Sequence, residues 1–179
     1  MICPSCCHKN LPGDEVCRHC KQPFALFDLP HPENQVERSV MYDQVKTLKQ
    51  HPPVTIGEKA SIGEAMALMT SSNVGALLVV DAEGNLTGIF SERDLLKKIV
   101  GLENGFAKLP ITQFMTPRPE SVSTTDTLNF VLQKMDAGGY RHVPVLENGK
   151  PVSIISARDM LRFLTRLSKE AGERGASTS

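Results

Sequence analysis

One pattern occurs twice in this chain, as Leu86-Thr-Gly-Ile-Phe-Ser-Glu-Arg-Asp94 and, with its aspartate 65 residues later, as Val152-Ser-Ile-Ile-Ser-Ala-Arg-Asp159. Each copy begins with the apolar run of a β-strand and ends with a serine three residues before an aspartate. A serine followed at that distance by an acidic residue is typical of a helix start. The pattern therefore predicts a strand that leads directly into a helix, present twice.

The elements before these segments repeat as well. Apolar residues at the i, i+3, i+4 and i+7 positions of a helix are Ile62, Ala65, Met66 and Met69, then Leu128, Val131, Leu132 and Met135. Each helix leads to an apolar run, at 76–80 and 143–146, and then to a glycine-bearing turn. The helices predicted after the repeated serines contain Leu95, Leu96 and Ile99 in one copy and Met160, Leu161 and Leu164 in the other.

The predicted unit is strand–helix–strand–strand–helix, an α/β (α+β) arrangement. One copy of about 60 residues is marginal for a hydrophobic core, so we expect two copies to pack with pseudo-two-fold symmetry. A short helix is also predicted from Val36 to Leu48, with Pro52-Pro53 as its end, and a polar, frayed tail closes the chain. The predicted divisions are a cysteine segment at 1–24, a linker at 25–43, repeats at 44–109 and 110–167, and the tail at 168–179.

Composition narrows the class of protein. The chain has 179 residues with 20 basic and 20 acidic side chains, and this balance argues against a general nucleic-acid coat. The longest apolar stretch, Val74–Val80, is far shorter than the roughly 20 residues of a membrane-spanning helix. The first residues carry neither the basic start nor the apolar core of a secretory signal. We therefore expect a cytoplasmic protein without a membrane segment.

The five cysteines, Cys3, Cys6, Cys7, Cys17 and Cys20, all lie within the first 20 residues. A disulfide framework would be spread through a secreted domain, whereas a tight cluster indicates a metal. Two C-x-x-C pairs supply the four thiolates of tetrahedral Zn²⁺, and a redox dithiol, the alternative, needs only one such pair. Four protein ligands leave no open position on the ion, so the predicted zinc is structural.

The repeated unit resembles a tandem pair of CBS domains, also called a Bateman module. The resemblance covers about Gln44 to Leu167 and rests on Gly75-Ala-Leu-Leu-Val-Val-Asp81, Leu86–Leu95, Phe114-Met-Thr-Pro117, Tyr140-Arg-His-Val-Pro-Val145 and Val152–Met160. The cysteine segment resembles the short zinc ribbons of bacterial and archaeal chains, with Cys3, Cys6, Cys17 and Cys20 as ligands. Cys7 replaces the glycine that usually follows the second cysteine, so the choice between Cys6 and Cys7 stays open.

The resemblance to CBS pairs implies two adenine-nucleotide clefts, each built from both copies. The aspartate would accept hydrogen bonds from the ribose hydroxyls, and the serine would lie near the phosphate. One implied cleft has Ser156 and Asp159 with Ile56 and Val74 over the adenine, and the other has Ser91 and Asp94 with Thr124 and Tyr140.

The two implied clefts differ in charge. Arg141 and His142 stand at the phosphate position of the Asp159 cleft, where the other copy has Gly75-Ala76. Residues 111–167 carry seven basic and five acidic side chains, and residues 54–100 carry four and six. Because arginine binds phosphate through a planar fork, the sequence favours the Asp159 cleft.

Each candidate ligand residue also has a structural interpretation. A serine–acid pair can be a plain capping box, which is the preferred interpretation for Ser61-x-x-Glu64. The alternative for Arg141 is a solvated surface charge, and the alternative for His142 is a packed or exposed histidine.

No catalytic motif is visible, with neither G-x-S-x-G nor G-x-x-x-x-G-K-[ST] nor H-E-x-x-H, so no enzyme is predicted. The leading hypothesis is a regulatory homodimer that binds an adenine nucleotide (AMP, ADP or ATP) or a related adenosyl ligand and signals to a protein partner, with the ribbon as the partner-facing arm. The alternative is a dimeric scaffold or adaptor without ligand, whose ribbon contacts protein or nucleic acid. In that case Lys9, Arg18 and Lys21 would touch phosphate.

Overall fold

The computed structural model describes residues 2–3, 5–11, 14–24, 32, 34–49, 51–99 and 105–176, with side chains through residue 170. The α-helices in this part are α1 (Gln35–Tyr42), α2 (Ile62–Ser72), α3 (Glu92–Asp94), α4 (Leu128–Gly138) and α5 (Ala157–Ala176). The strands are β1 (Thr55–Gly57), β2 (Ala76–Val80), β3 (Leu86–Ser91), β4 (Thr116–Pro117), β5 (Val122–Ser123), β6 (His142–Glu147) and β7 (Lys150–Ser156). The mixed helix and strand architecture predicted from the repeats is confirmed.

The strands form two sheets, of order β1-β2-β3-β4 and β5-β6-β7. β1 runs parallel to β2 with Ile56 opposite Val79, so α2 serves as the crossover between them. β2 and β3 are antiparallel and place Leu78 opposite Ile89. The glycine-bearing turns predicted between the paired strands are present, and Gly84 and Gly149 adopt the positive φ that such turns require.

The chain divides into two compact units. The first unit comprises residues 1–49, 122–141 and 155–179, and the second comprises residues 50–121 and 142–154. In the first unit α1 contacts both α4 and α5. Its buried side chains include Val45, Leu128, Val131, Met160 and Phe163.

The core of the second unit lies on both faces of β2. One face packs with α2 and β3, and its buried residues are Ile62, Ala65, Met69, Leu77, Val79, Phe90, Ile99 and Ile111. The other face buries Ala76, Leu78 and Ile89 against Leu86 and Ile154. Because both faces are covered, the run Ala76–Val80 is apolar throughout instead of alternating.

Helices α2 and α4 both begin and end with recognisable caps. The predicted capping box of Ser61 and Glu64 at the start of α2 is confirmed, and α2 ends on Asn73 in the left-handed conformation. Thr127 caps α4, and Gly139 ends it at φ 61°.

The first helix is shorter than predicted, and the expectation of one helix through Leu48 was wrong. The Asn34 side chain caps α1, which ends at Tyr42, and residues Val45–Thr47 form a separate 3-10 turn. The backbone N–H groups of Val45 and Lys46 donate to the carbonyls of Asp126 and Thr124. Because these N–H groups donate to distant carbonyls, they are not available to continue the helix. Local periodicity cannot predict such long-range bonds.

Two further elements differ from the prediction. The helix after Ser91 has only one α-helical turn and continues as a π-helix over Leu95–Ile99. In contrast, α5 runs through most of the predicted frayed tail to Ala176. Arg166 and Glu170 face each other across one turn of α5, with Nε and Oε1 3.8 Å apart, which is the i,i+4 pairing that favours a polar helix.

Candidate metal and ligand sites

Two backbone knuckles of the same design carry the cysteines. In the first, the Cys3 N–H donates to the His8 carbonyl and the Cys7 N–H donates to the Cys3 carbonyl, at 2.9 and 2.8 Å. In the second, the Cys17 N–H donates to the Gln22 carbonyl and the Lys21 N–H donates to the Cys17 carbonyl, at 2.8 and 2.9 Å. Each C-x-x-C pair is therefore folded into a tight turn that presents two sulfurs on one side.

The sulfurs of Cys3, Cys6, Cys17 and Cys20 converge, all within 4.8 Å of one another, and can hold a metal ion. The Sγ atoms of Cys3 and Cys20 are 3.7 Å apart, and those of Cys6 and Cys17 are 3.5 Å apart. Four sulfurs about 2.3 Å from a central ion in tetrahedral geometry would be separated by about 3.8 Å. The donor set and its spacing therefore fit a tetrahedral thiolate-bound metal.

Cys7 takes a different position from Cys6. Cys7 is exposed and has φ 56°, and Lys21 occupies the matching position of the second knuckle with φ 61°. Glycine is the residue that adopts this left-handed conformation at least cost, which explains the glycine usual at this place. The geometry thus brings Cys6 into the cluster and turns Cys7 outward.

Asn10 connects the two knuckles, and sequence analysis missed it. Its Nδ2 donates to the His8 carbonyl at 2.8 Å and contacts Cys17 Sγ at 3.6 Å, while its Oδ1 accepts from the Arg18 N–H. Burial works to raise the pKa of Cys17, but the backbone N–H groups of Cys20 and His19, with the Cys6 and Asn10 side chains, outweigh it and hold the pKa at about 6. These donors favour the thiolate, the form that binds metal.

In the serine–aspartate pair of the first repeat, the serine is hydrogen-bonded to the aspartate. The N–H and hydroxyl of Ser91 donate to Asp94 Oδ2 at 3.0 and 2.7 Å. The other carboxylate oxygen, Oδ1, lies 2.7 Å from Lys98 Nζ, and the Asp94 side chain is only 11% exposed. Both oxygens of this candidate ribose acceptor therefore already have partners.

The pair of the second repeat has the same cap and a more open carboxylate. The N–H and hydroxyl of Ser156 donate to Asp159 Oδ2 at 2.9 and 2.6 Å. Asp159 Oδ1 lies 3.6 Å from Arg162 Nη1, beyond hydrogen-bond distance, and the Asp159 side chain is 35% exposed. This carboxylate is thus more exposed than that of Asp94, and its Oδ1 lies farther from Arg162 than Asp94 Oδ1 lies from Lys98.

The phosphate positions also differ between the repeats. The Ala157 N–H, at the start of α5, donates to the Arg141 carbonyl at 2.9 Å, which holds the exposed Arg141 beside the helix N-terminus. In the first repeat the Glu92 N–H donates to the Gly75 carbonyl at 3.0 Å. There the Glu92 carboxylate lies over Gly75, 3.4 Å from where a β-carbon would stand. The second repeat thus has the basic Arg141 at its phosphate position, whereas the first repeat has the acidic side chain of Glu92 over Gly75.

The remaining predicted ligand residues have the following places. Ile56 and Val74 both pack at the margin of the core that contains α2. Tyr140 is exposed, and its ring lies over Gly138 so closely that it leaves no room for a β-carbon there. Thr124 is half-buried in the first unit, and His142 is half-buried at the start of β6. Their roles in a ligand site stay predictions.

Lys98 and Glu92 are the residues of the first repeat that sequence analysis missed. The signal for Lys98 was present, since Asp94 and Lys98 have the i,i+4 spacing of a helical ion pair. The signal for Glu92 was its position directly after the capping serine, where the second repeat has Ala157.

The fold and the paired strand-to-helix caps define a module of two repeated strand–helix units. Residues 45–101 and 111–166 match the CBS domain family, which is more than half of the chain, and the protein belongs to that family.

Two relatives illustrate the range of chains that share this module. CBS domain-containing protein CBSCBSPB1 of Arabidopsis thaliana is 30% identical over 131 residues, 73% of this chain and 24% of that protein. An uncharacterized 17.7 kDa protein of Acidianus ambivalens is 31% identical over 122 residues, 68% of this chain and 71% of that protein. The chain thus spans about a quarter of the plant protein's length.

Solved structures of CBS-domain proteins are also similar to this chain in sequence and fold. The CBS-domain protein ATU1752 of Agrobacterium tumefaciens is 35% identical with a TM-score of 0.62, covering 67% of this chain and 98% of that one. The CBS domain pair of protein MJ0100, in complex with 5′-methylthioadenosine and S-adenosyl-L-methionine, is 27% identical with a TM-score of 0.62, covering 68% and 95%. PAE2072 of Pyrobaculum aerophilum, complexed with AMP, is 26% identical with a TM-score of 0.62, covering 70% and 98%.

Among the described residues, no helix combines the length and the apolar character that crossing a bilayer requires.

Proposed function

We propose that this chain is a regulatory, non-enzymatic protein that binds an adenine nucleotide (AMP, ADP or ATP) at the start of α5. The observation that carries this proposal is the partly exposed Asp159 carboxylate in the first turn of α5, whose first N–H group is bonded to the Arg141 carbonyl. The complexes of PAE2072 with AMP and of MJ0100 with adenosyl ligands support the ligand class, since both share this fold.

The ribose and the phosphate of the ligand have chemical counterparts in the first unit. The Asp159 carboxylate can accept from a vicinal diol, as the ribose requires. The N-terminus of α5 suits a phosphate through the positive end of the helix dipole, and the Arg141 guanidinium suits it through a bidentate fork. Contacts of Ile56 and Val74 with the adenine, and of His142 with the phosphate, stay predictions that rest on the family resemblance.

We further propose that Cys3, Cys6, Cys17 and Cys20 hold one structural Zn²⁺. The convergence of their sulfurs supports this assignment, and the outward position of Cys7 supports Cys6 as the ligand. When bound, the ion supplies folding free energy to a segment with too little apolar surface to fold alone. With four thiolates it has no open position for chemistry.

A homodimer formed through the CBS domains is the proposed assembly. Leu96 and Leu161 occupy equivalent places, five residues after the repeated serines, and are 70% and 64% exposed. Two large apolar side chains at matching repeat positions are surface that self-association would bury. A ligand that prefers one arrangement of such an assembly would shift its population and so signal to a protein partner in the cytoplasm.

Calorimetric titration with AMP tests the function. The wild type is expected to bind AMP, and Asp159→Asn is expected to weaken binding about ten- to a hundredfold, because the ribose loses charge-assisted hydrogen bonds. Asp136→Asn, which changes an exposed carboxylate on α4, is the matched control and should bind as the wild type does. Failure of the wild type to bind AMP, ADP and ATP would overturn the nucleotide proposal and favour the scaffold alternative.

A further inference from the structure

The Lys98 ammonium occupies a complete acceptor site in the first repeat. Its Nζ lies 2.7 Å from Asp94 Oδ1, 2.6 Å from the Phe114 carbonyl oxygen and 3.4 Å from the Met115 carbonyl oxygen. An ammonium has three donors, and three acceptors surround this one. Lys98 therefore joins the start of the helical segment after β3 to the chain that enters β4.

This bridge uses the oxygen that a ribose would need. Asp94 Oδ2 already accepts twice from Ser91, so Oδ1 is the acceptor left for a ligand, and Lys98 covers it. In the second repeat the residue four positions after Asp159 is Phe163, which is buried and cannot make such a bridge. The two aspartates are thus equivalent in their caps and different in their accessibility.

We propose that Lys98 closes the Asp94 site against adenosyl ligands and so restricts the chain to the Asp159 site. The Lys98 ammonium competes with a ligand for Asp94 Oδ1. A vicinal diol can reach this oxygen only by displacing the charge-assisted hydrogen bond from Lys98. This inference deepens the proposed function, on which its choice of ligand class rests.

The charge near Gly75 sets the kind of ligand that an opened Asp94 site would accept. The Glu92 carboxylate lies where the other repeat has Arg141, and it would repel a phosphate. An opened site is therefore expected to accept an adenosyl ligand without phosphate, such as 5′-methylthioadenosine.

The test is calorimetric titration of 5′-methylthioadenosine into chains that lack the Asp159 carboxylate. Asp159→Asn alone is expected to bind weakly, and Asp159→Asn with Lys98→Met to bind about tenfold or more tightly. Adding Asp94→Asn should abolish that gain. Lys97→Met, which neutralises the exposed neighbouring lysine, is the matched control and should give no gain.

Two outcomes separate this inference from the proposed function. If the wild type binds AMP but Lys98→Met gains nothing, the lysine is only a structural staple and the inference is wrong, while the function stands. If the wild type fails to bind AMP but Lys98→Met creates an Asp94-dependent site, the proposed function is wrong, while the closure of the Asp94 site by Lys98 stands. Lys98→Gln, which keeps a polar end without charge, is the second variant if Lys98→Met does not fold by circular dichroism.

Discussion

Thr127 makes two hydrogen bonds to the carbonyl oxygen of Ser5. Its N–H donates to that oxygen at 3.3 Å, and its hydroxyl donates to the same atom. Ser5 lies between Cys3 and Cys6 in the first knuckle, while the Thr127 hydroxyl also caps α4 by accepting from the Phe130 N–H. The first knuckle is thus attached to the start of α4, and the predicted partner-facing surface is limited to the rest of the cysteine segment.

Replacing Thr127 with valine removes the hydroxyl's bond to Ser5 and the helix cap at nearly constant volume, and leaves the backbone N–H bond in place. We expect the free energy of unfolding to fall by about 1 kcal/mol, the usual cost of losing an N-cap, with an added loss of order in the first knuckle. Denaturant unfolding and amide exchange of residues 5–11 measure the two effects. Thr127→Ser keeps the hydroxyl and is the control, and equal exchange in the valine and serine variants would contradict the proposed attachment.

Metal content separates the two adjacent cysteines. Cys6→Ser is expected to lose the zinc, because it removes one of four converging sulfurs. Cys7→Ser is expected to retain one zinc per chain, because that thiol is exposed and directed away from the cluster. Metal analysis of protein purified without added zinc measures both, and metal-free wild type in the reduced state would refute the site.

The cap of α2 should respond to pH. Hydrogen bonds from the Ser61 backbone N–H and hydroxyl hold the pKa of Glu64 below its usual range. A lowered folded-state pKa gives stability that is present above the unfolded-state value, about 4.3, and is lost as the pH falls through the folded-state value. The midpoint temperature of thermal unfolding should be higher for the wild type than for Glu64→Ala at pH 7. The difference between the two midpoints should shrink toward pH 3. A difference that grows on acidification would reverse the sign of this argument.

Self-association should depend on the exposed leucine of α5. A charge at Leu161 would have to be buried in the proposed homodimer, so Leu161→Glu is expected to shift the protein to monomer. Light scattering at micromolar concentration measures the change. Arg158→Glu, which also places an acid on the exposed side of the same helix, is the control for charge alone. A wild-type protein that is monomeric under the same conditions would contradict the proposed homodimer.

The repeated local patterns predicted α2, α4 and the strands β2, β3, β6 and β7, because each pattern is decided by neighbours in the chain. The early end of α1 depends on bonds from Val45 and Lys46 to residues about 80 positions away, and no periodicity encodes them. The attachment of Ser5 to Thr127 is of the same long-range kind.

The candidate sites were predictable to different degrees. Cysteine spacing predicted the cluster of four sulfurs, since two C-x-x-C pairs are the usual source of four converging thiolates. The spacing of Ser91 and Asp94 identified a cap but could not tell whether the carboxylate was accessible. That property depends on Lys98 and its contact with the Phe114 carbonyl, and so on tertiary structure.

The central claim is that the start of α5, and not the start of α3, receives the nucleotide. Hydrogen–deuterium exchange of the wild type with and without AMP measures this directly. The account predicts that AMP protects the peptide containing Ser156–Asp159 and the neighbourhood of Arg141, and leaves the peptide containing Ser91–Asp94 unchanged. Protection at Ser91–Asp94 without protection at Ser156–Asp159 would contradict it.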